Sequence, residues 1–140
     1  KSVYFTVQKA LLYMKDGGSI VLIGSIAAHI ATSGMSVYGA AKAAVISFAR
    51  GFSMDLLERK IRVNVISPGS IDTPVFKKMV PEEHIDFAKQ HWANFTPAGR
   101  IGKPSDIGNA AVFLASDESS FILGTEIIVD GGFSSINLMK

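Results

Sequence analysis

Apolar residues recur at intervals of three and four in two stretches of the chain, which is the spacing of an amphipathic helix. The first stretch covers residues 2–12, and Asp16-Gly17-Gly18 ends it. The second stretch covers residues 37–59. Its apolar face consists of Ala41, Ala44, Val45, Phe48, Phe52 and Leu56. The pattern therefore predicts one helix in each stretch.

Two compact runs, at residues 19–23 and 61–66, predict strands. The first has four consecutive branched residues at positions 20–23 without polar alternation, so it is expected to be buried on both faces. The second run ends at Ser67-Pro68-Gly69. A last strand is predicted at residues 126–129, directly before Asp130-Gly131-Gly132. Helices and strands that alternate in this order predict right-handed crossovers and a parallel sheet, which is the arrangement of an α/β fold.

The periodic pattern weakens after Thr73, and residues 74–103 are interpreted as an excursion away from the sheet. Pro81-Glu82-Glu83 places a proline and two acids where a helix begins, so the excursion is expected to be helical over residues 75–95. Lys103-Pro104-Ser105-Asp106 opens a further helix, over residues 107–115. The apolar residues of the excursion form either a lid over a substrate or packing against the body. They are Phe76, Met79, Val80, Phe87, Trp92 and Phe95.

The composition, 48% apolar and 19% charged, is that of one globular domain with a single core. A net charge of +2, with no basic run longer than Lys77-Lys78, gives no support for a nucleic-acid or membrane partner. The apolar stretch 20–30 is far shorter than the ~20 residues that a membrane helix needs. The chain has no cysteine, which fits a reducing compartment, so a cytoplasmic location is expected. Histidines and carboxylates do not cluster with metal-ligand spacing, and no catalytic metal is expected.

Tyr38 and Lys42 lie four residues apart in the second predicted helix, so their side chains share one helix face about one turn apart. A free tyrosine has a pKa of about 10, too high for a base at neutral pH, but a nearby ammonium favours the ionised phenolate. At ~4 Å and an effective dielectric of about 20 this attraction is roughly 4 kcal/mol. The spacing makes Tyr38 a candidate general acid/base.

Ser25 follows the first predicted strand, at the carboxyl end where open parallel sheets bind their ligands. A hydroxyl at this place could hold a substrate oxygen while Tyr38 exchanges its proton. A purely structural interpretation stays open at this point. In that interpretation the aliphatic part of Lys42 lies along an apolar surface, the Tyr38 ring serves only in packing, and Ser25 caps a helix.

Four motifs occur in a characteristic order and spacing. They are Gly18-Ser19-Ile20-Val21-Leu22-Ile23-Gly24-Ser25, Tyr38-Gly39-Ala40-Ala41-Lys42-Ala43-Ala44, Arg62-Val63-Asn64-Val65-Ile66-Ser67-Pro68-Gly69 and Val129-Asp130-Gly131-Gly132. Together they resemble the pattern of the short-chain dehydrogenase/reductase family, over essentially the whole chain. The resemblance implies the C-terminal half of a Rossmann-type, doubly wound parallel sheet. Residues 1–140 are then the catalytic part of a single domain, and residues 74–103 its substrate loop.

The resemblance also implies an NAD- or NADP-dependent oxidoreductase that interconverts a secondary alcohol and a ketone by hydride transfer. Ser25 would bond to the oxygen of this small-molecule substrate, and Tyr38 would deliver or accept the proton. Lys42 would favour the phenolate and bind the nicotinamide ribose. Further cofactor contacts are expected along the loop after the second strand, at Pro68, Gly69, Ile71 and Thr73. For Pro68-Gly69 the alternative is an ordinary loop breaker after a strand.

Two parts of the family pattern do not occur in the sequence. One is the fourth catalytic residue, an asparagine, and the other is the glycine-rich turn that binds the pyrophosphate. Because Lys1 already lies inside a predicted helix, we expect both parts to lie upstream of it. The sequence is then expected to be a fragment that is inactive alone and binds the cofactor weakly.

Two other functions remain to be weighed. A non-catalytic nucleotide-sensing or scaffold protein could use the same fold, since fold does not fix function, although the set of Ser25, Tyr38 and Lys42 speaks against it. His29, four residues after Ser25, raises the idea of a serine hydrolase. However, Ile23-Gly24-Ser25-Ile26-Ala27 is not the GxSxG nucleophile elbow, and no acid is placed in the sequence to orient the imidazole.

Small residues recur every four positions along the second predicted helix, at Gly39, Ala43, Ser47 and Gly51. Such a stripe permits the close approach of another helix, and in the family that the chain resembles the matching helix pairs with its copy across a two-fold axis. We therefore expect a homodimer or homotetramer. The alternative is that the stripe packs onto its own sheet.

Overall fold

The computed structural model describes residues 1–136, and within them five α-helices and three strands. Their order is α1 (Ser2–Ala10), β1 (Ser19–Ile23), α2 (Ser36–Asp55), β2 (Arg62–Pro68), α3 (Phe76–Met79), α4 (Ile85–Phe95), α5 (Pro104–Ala115) and β3 (Glu126–Val129). Short 3-10 turns occur at Ile26–Ala28, Glu82–His84 and Asp117–Ser119. The strands predicted at residues 19–23 and 126–129 are confirmed with these bounds.

The three strands form one parallel sheet in the order β1-β2-β3. β1 pairs with β2 from Ser19 opposite Arg62 to Ile23 opposite Ile66. On its other side β2 pairs with β3, and this ladder ends with Pro68 opposite Val129. The second ladder is the reason why β2 continues to Pro68, two residues past its predicted end.

The main core lies on the face of the sheet that carries Val63 and Val65, both of which are fully buried. These two residues join a cluster with α1, β1 and α2. Its other buried members are Val7, Leu22, Val45, Ile46, Ala49, Phe52, Leu56 and Ile61. Full burial of a side chain such as Val or Ile stabilises the fold by about 1.5–3 kcal/mol, so this cluster is the principal link between α2 and the sheet.

The opposite face of β2 carries the polar residues Arg62 and Asn64, because side chains alternate along a strand and these two alternate with Val63 and Val65. The guanidinium of Arg62 donates to Ser119 Oγ at 2.8 Å and to the Ser116 carbonyl at 2.9 Å. The Asn64 amide donates to the Ile122 carbonyl at 2.8 Å, and its oxygen accepts from the Thr125 backbone N–H at 3.0 Å. These buried polar side chains hold the segment between α5 and β3 against the middle strand.

α2 ends at Asp55, four residues before the predicted end at residue 59. The chain must reverse its direction before it enters β2. The reversal occurs at Lys60, whose φ of 52° lies in the left-handed region, where a right-handed helix cannot continue. Arg59 then bonds to the turn that follows α1. It donates to the carbonyls of Leu11 at 3.1 Å and Met14 at 2.6 Å, and to Asp16 Oδ1 at 2.8 Å.

Residues 75–95, the part of the excursion that was predicted to be helical, are broken into α3, a 3-10 turn and α4. The break falls at Val80, which is extended because a residue before a proline is disfavoured in the α region. The two ends of the excursion meet beside the sheet. Gly102 donates to the Ser70 carbonyl and accepts from the Asp72 N–H, each at 2.8 Å. α5 starts at Pro104, three residues earlier than predicted, with the proline in its first turn.

Within residues 1–136, none of the helices combines the length and the apolar character that crossing a membrane requires.

Candidate active site

The residues predicted for the site follow the carboxyl ends of β1 and β2, which adjoin in the parallel sheet. Ser25 comes two residues after β1, and the Gly24 N–H donates to the Ile66 carbonyl of β2 at 2.8 Å. Pro68 is the last residue of β2, and the Gly69 N–H donates to Val129 of β3 at 3.0 Å. The fold thus brings these residues to the edge where open parallel sheets bind ligands.

Ser25 is the N-cap of the 3-10 turn Ile26–Ala28. Its Oγ accepts a hydrogen bond from the Ala27 N–H at 3.2 Å, which is the capping role that the structural interpretation gave it. A hydroxyl carries two lone pairs and one proton, so capping leaves the proton of Ser25 free to donate. The capping contact and a contact with a ligand oxygen are therefore compatible.

Tyr38 and Lys42 occupy the first two turns of α2, as their spacing predicts. The Lys42 ammonium lies 5.7 Å from the centroid of the Tyr38 ring and donates to the carbonyl of Ile23 at 3.0 Å. This bond ties α2 to the last residue of β1. An ammonium has three donors, so two remain beyond the bond to Ile23. Tyr38 is 45% exposed, which leaves its ring accessible to a ligand.

Gly39 lets α2 approach the turn that follows Ser25. A Cβ at this position would lie 2.6 Å from the Ala27 carbonyl oxygen, too close for any residue with a side chain. Sequence reasoning used Gly39 only as part of a motif and of the small-residue stripe. Only the folded structure shows that Gly39 lies against the turn after Ser25. The signal in the sequence was a glycine directly next to Tyr38, a candidate catalytic residue.

The loop after β2 is held by backbone contacts. Ile71 forms a parallel bridge with Gly102, and the Thr73 hydroxyl donates to the Ile71 carbonyl at 3.4 Å. At Gly69 a Cβ would lie 2.7 Å from Asp130 Cβ and 2.8 Å from its Cα. Pro68-Gly69 is therefore more than a loop breaker, because the glycine lets the chain pass directly beside the end of β3.

A cavity of about 290 Å³ lies beside this loop, and Arg100, Asp106 and Asp130 form part of its lining. Arg100 donates to the Asp106 carboxylate at 2.7 Å, and the Lys103 N–H donates to it at 2.7 Å. These bonds lower the pKa of Asp106 to about 2. Partial burial alone would raise the pKa of Asp130, but hydrogen bonds from Ser134 and Gly132 outweigh burial and lower that pKa. The sequence pointed to Asp106 only as part of a helix start, and it gave no signal for Arg100 or for the bond between them.

The apolar residues of the excursion divide between the two roles considered for them. Phe76 is 4% exposed and therefore buried, and the Trp92 ring, 5.8 Å from that of Phe133, packs the excursion against the body. Phe87 and Phe95 are 73% and 57% exposed on one side of α4. This second group leaves an aromatic surface that is open to a ligand.

His29 has an acidic partner that was not apparent from the sequence. Its Nε2 lies 2.8 Å from Glu126 Oε1 and 2.9 Å from Oε2, although the two residues are 97 positions apart. Contrary to the prediction, an acid is placed to orient this imidazole, because the fold brings β3 to the turn after Ser25. However, Ser25 Oγ accepts from the Ala27 N–H and, within residues 1–136, forms no hydrogen bond with His29. A serine hydrolase needs such a bond between its serine and its histidine.

Fold and site together define an α/β protein with an open parallel sheet and its polar residues at the carboxyl ends of the strands. A family model described as Enoyl-(Acyl carrier protein) reductase matches residues 1–134. The oxidoreductase asL5 of Sarocladium schorii is 42% identical over 139 residues, which cover 97% of this chain and 54% of that protein. The chain spans about half the length of the curated relatives that it matches.

Solved structures agree with the sequence comparisons. A short chain dehydrogenase family protein from Francisella tularensis superposes with a TM-score of 0.87 at 30% identity, covering 96% of this chain and 58% of that one. The angucycline C-6 ketoreductase LanV, solved with bound NADP, has a TM-score of 0.80 at 33% identity, covering 94% and 49%. The chain belongs to the short-chain dehydrogenase/reductase family, whose members among these relatives are oxidoreductases.

Proposed function

We propose that this chain supplies the catalytic part of an NAD(P)-dependent oxidoreductase that interconverts a secondary alcohol and a ketone. The observation that carries the proposal is the placement of Lys42. Its ammonium lies 5.7 Å from the Tyr38 ring centroid and is bonded to the carbonyl of Ile23, two residues before Ser25. A cation, a phenol and a hydroxyl are thus gathered at one end of the sheet.

Each of the three side chains has a role in this proposal. The Ser25 hydroxyl donates a hydrogen bond to the oxygen of the ketone and thereby orients the ketone. Tyr38 is the general acid in reduction and the general base in oxidation, and the ammonium of Lys42 favours the phenolate that the base needs. These roles use the donors and the exposure that the three residues have in the folded chain.

The residues at this edge fit a nicotinamide cofactor. Lys42 has two donors left for ribose hydroxyls, and the loop that follows β2 carries backbone groups and the hydroxyl of Thr73. Pro68, Gly69, Ile71 and Thr73 are the residues that we propose to lie along the nicotinamide. When bound, the cofactor supplies or accepts the hydride. LanV, which was solved with NADP, supports this choice of cofactor.

We further propose that residues 1–140 form the catalytic part of one Rossmann-type domain and that residues 74–103 are its substrate loop. The exposed Phe87 and Phe95 on α4 are the groups in this loop that would contact an apolar substrate. Coverage of about half of each relative supports the proposal that the rest of the domain lies elsewhere in the whole protein.

The whole protein is also proposed to be a homodimer or homotetramer. Ala43, Ser47 and Gly51 of the small-residue stripe are exposed, and a Cβ at Gly51 would have no atom within 4 Å. These three residues therefore do not pack onto their own sheet. An exposed stripe of small side chains on a long helix suits close packing against a second helix.

The test uses the whole protein with NADH or NADPH and a panel of ketones, and follows the loss of reduced nicotinamide. We expect ketone-dependent turnover, and we expect Ser25→Ala to lower kcat/KM by about 100-fold, the usual loss for one donor to a reacting oxygen. Ser120→Ala, at an exposed serine after α5, is the control. Labelling of Ser25 by an active-serine probe, without any nicotinamide-dependent turnover, would instead indicate a hydrolase.

A further inference from the structure

The contact between His29 and Glu126 is an ordered one. The imidazole Nε2 is within 2.9 Å of both carboxylate oxygens, and the side chain of Glu126 is only 14% exposed, against 39% for His29. A carboxylate that has lost most of its water needs a donor in its place. The pair therefore links two parts of the fold through a carboxylate that is mostly shielded from water.

The link spans the sheet. Glu126 is the first residue of β3 and lies in register with Val65 of β2, whose side chain faces the core beneath α2. Residues opposite each other in a parallel sheet point to the same face, so Glu126 also faces the α2 side. His29 lies in the segment that leaves β1, on the far side of β2. Its contact with Glu126 thus draws this segment across the middle strand.

The segment from Ser25 to His29 is a single hydrogen-bonded turn. The Ser25 carbonyl accepts from the Ala28 N–H at 3.0 Å, and the Ile26 carbonyl accepts from the His29 N–H at 2.9 Å. The Ser25 hydroxyl itself accepts from the Ala27 N–H inside this turn. A turn closed by these bonds moves as a unit, so a displacement of His29 displaces the group to which the Ser25 hydroxyl is bonded.

Besides the close approach of α2 at Gly39, two polar anchors hold this turn. At its start, the bond from Gly24 N–H to the Ile66 carbonyl joins it to β2. At its end, the anchor is the contact of His29 with Glu126. We propose that Glu126 is a positioning residue that acts through His29 to fix the Ser25 hydroxyl in the active site. This inference rests on the proposed function, in which Ser25 orients the reacting oxygen.

The consequence for catalysis follows from the precision that orientation requires. A displacement of about 1 Å in a group that positions the substrate can cost about 100-fold in rate. Loss of the second anchor leaves the end of the turn held by the approach of α2 at Gly39 and by its own 3-10 hydrogen bonds, whose geometry is poorer than that of an α-helix. Loss of the anchor should therefore lower kcat/KM for the ketone. Lys42 and the loop after β2 form their hydrogen bonds with other residues than His29 and Glu126, so cofactor binding should not change.

The experiment compares two pairs of substitutions in the whole protein. Glu126→Ala and His29→Ala remove the link. Glu126→Gln keeps an acceptor oxygen at position 126, and His29→Gln keeps a donor N–H at position 29. We expect each alanine variant to lose about 10-fold to 100-fold in kcat/KM, with the Kd for NAD(P)H changed by less than about twofold. The glutamine variants should recover most of this loss. Glu58→Ala, at an exposed glutamate after α2, is the matched control.

Two further measurements separate positioning from a general loss of stability. The double variant His29→Ala with Glu126→Ala should lose no more activity than either single variant, because both remove the same link. Hydrogen exchange of the amides of Ala27, Ala28 and His29 should be faster in the alanine variants and close to wild type in the glutamine variants. This second readout needs only folded protein and no turnover.

The outcomes also distinguish this inference from the proposed function. If Ser25→Ala removes turnover while Glu126→Ala and His29→Ala behave like Glu58→Ala, the positioning role is overturned and the proposed function stands. If Ser25→Ala leaves turnover intact, the proposed function fails and the positioning role of Glu126 fails with it. Unchanged exchange at residues 27–29 in Glu126→Ala would contradict the anchor itself.

Discussion

Gly24 shows how single residues set the position of Ser25. A Cβ on Gly24 would lie 2.4 Å from Ser67 Oγ and 2.9 Å from Val65 Cγ1. Both neighbours belong to fully buried residues of β2. β1 and β2 can approach at this level only because residue 24 lacks a side chain, and this approach fixes the backbone that leads into Ser25.

Gly24→Ala should therefore destabilise the fold, by about 1–3 kcal/mol, the usual cost of overpacking a core. Gly108→Ala is the matched control, because a Cβ at that position of α5 meets nothing within 4 Å. Replacing a helical glycine by alanine should stabilise by up to about 1 kcal/mol. Chemical unfolding of both variants measures the difference. Equal stability for the two would show that the space around Gly24 has been misjudged.

At this scale the sequence predicts what depends on local spacing. The four-residue interval predicts that Tyr38 and Lys42 share a helix face, and they do. The bond from Lys42 to Ile23 and the pair of His29 with Glu126 join residues 19 and 97 positions apart. No local pattern encodes such partners, because they depend on which strands adjoin and on the side to which each side chain points.

Among the secondary-structure elements, β1 and β3 have the predicted bounds, whereas β2 continues two residues further and α2 ends four residues earlier than predicted. The bounds of β1 are those of a run of apolar residues, which the sequence displays directly. Helix ends depend on the turn that follows, such as the left-handed Lys60 after α2 or the extended Val80 before Pro81. The division of residues 75–95 into separate helices follows from this proline, whose effect on the preceding residue is itself readable from sequence.

The start of α5 provides a test of pH-dependent stability. Hydrogen bonds from Arg100 and from the Lys103 N–H lower the pKa of Asp106 from 3.8 to about 2. A lowered carboxyl pKa gives stability that is fully present above the unfolded-state value and is lost as the pH falls through the folded-state value. Asp106→Asn should therefore lower Tm near neutral pH, and the difference from wild type should shrink between about pH 4 and about pH 2.

The control for this variant is Asp117→Asn, at an exposed aspartate in the turn after α5. It should show no pH-dependent difference of this size. A Tm difference for Asp106→Asn that stays constant from neutral pH down to about pH 2 would contradict the role of the ionised carboxylate.

For the whole molecule, the exposed side of α2 is the feature that reaches beyond one chain. If Ala43, Ser47 and Gly51 pack against a second helix, then Ala43→Trp with Ser47→Trp should separate the subunits, because two indole rings cannot fit where helices approach closely. Light scattering of the whole protein at micromolar concentration measures this change. A parent protein that is already monomeric at that concentration would refute the proposed assembly.

Fold and family of the chain were predictable from its sequence, because four motifs and the order of helices and strands are local features. The catalytic roles are a further step, since the same fold also serves other functions. They rest on the exposed Tyr38 ring, with Lys42 beside it and Ser25 at the end of the adjoining strand. The central claim is that Tyr38 transfers the proton.

The most direct test is Tyr38→Phe in the whole protein, which removes the hydroxyl and keeps the ring. General acid/base catalysis contributes about 100-fold to 10,000-fold, so kcat should fall within that range while NAD(P)H binding, measured by calorimetry, stays nearly unchanged. Tyr13→Phe, at a tyrosine that is 88% exposed, controls for loss of a phenol as such and should retain full activity. A loss of less than about tenfold in Tyr38→Phe would contradict the account.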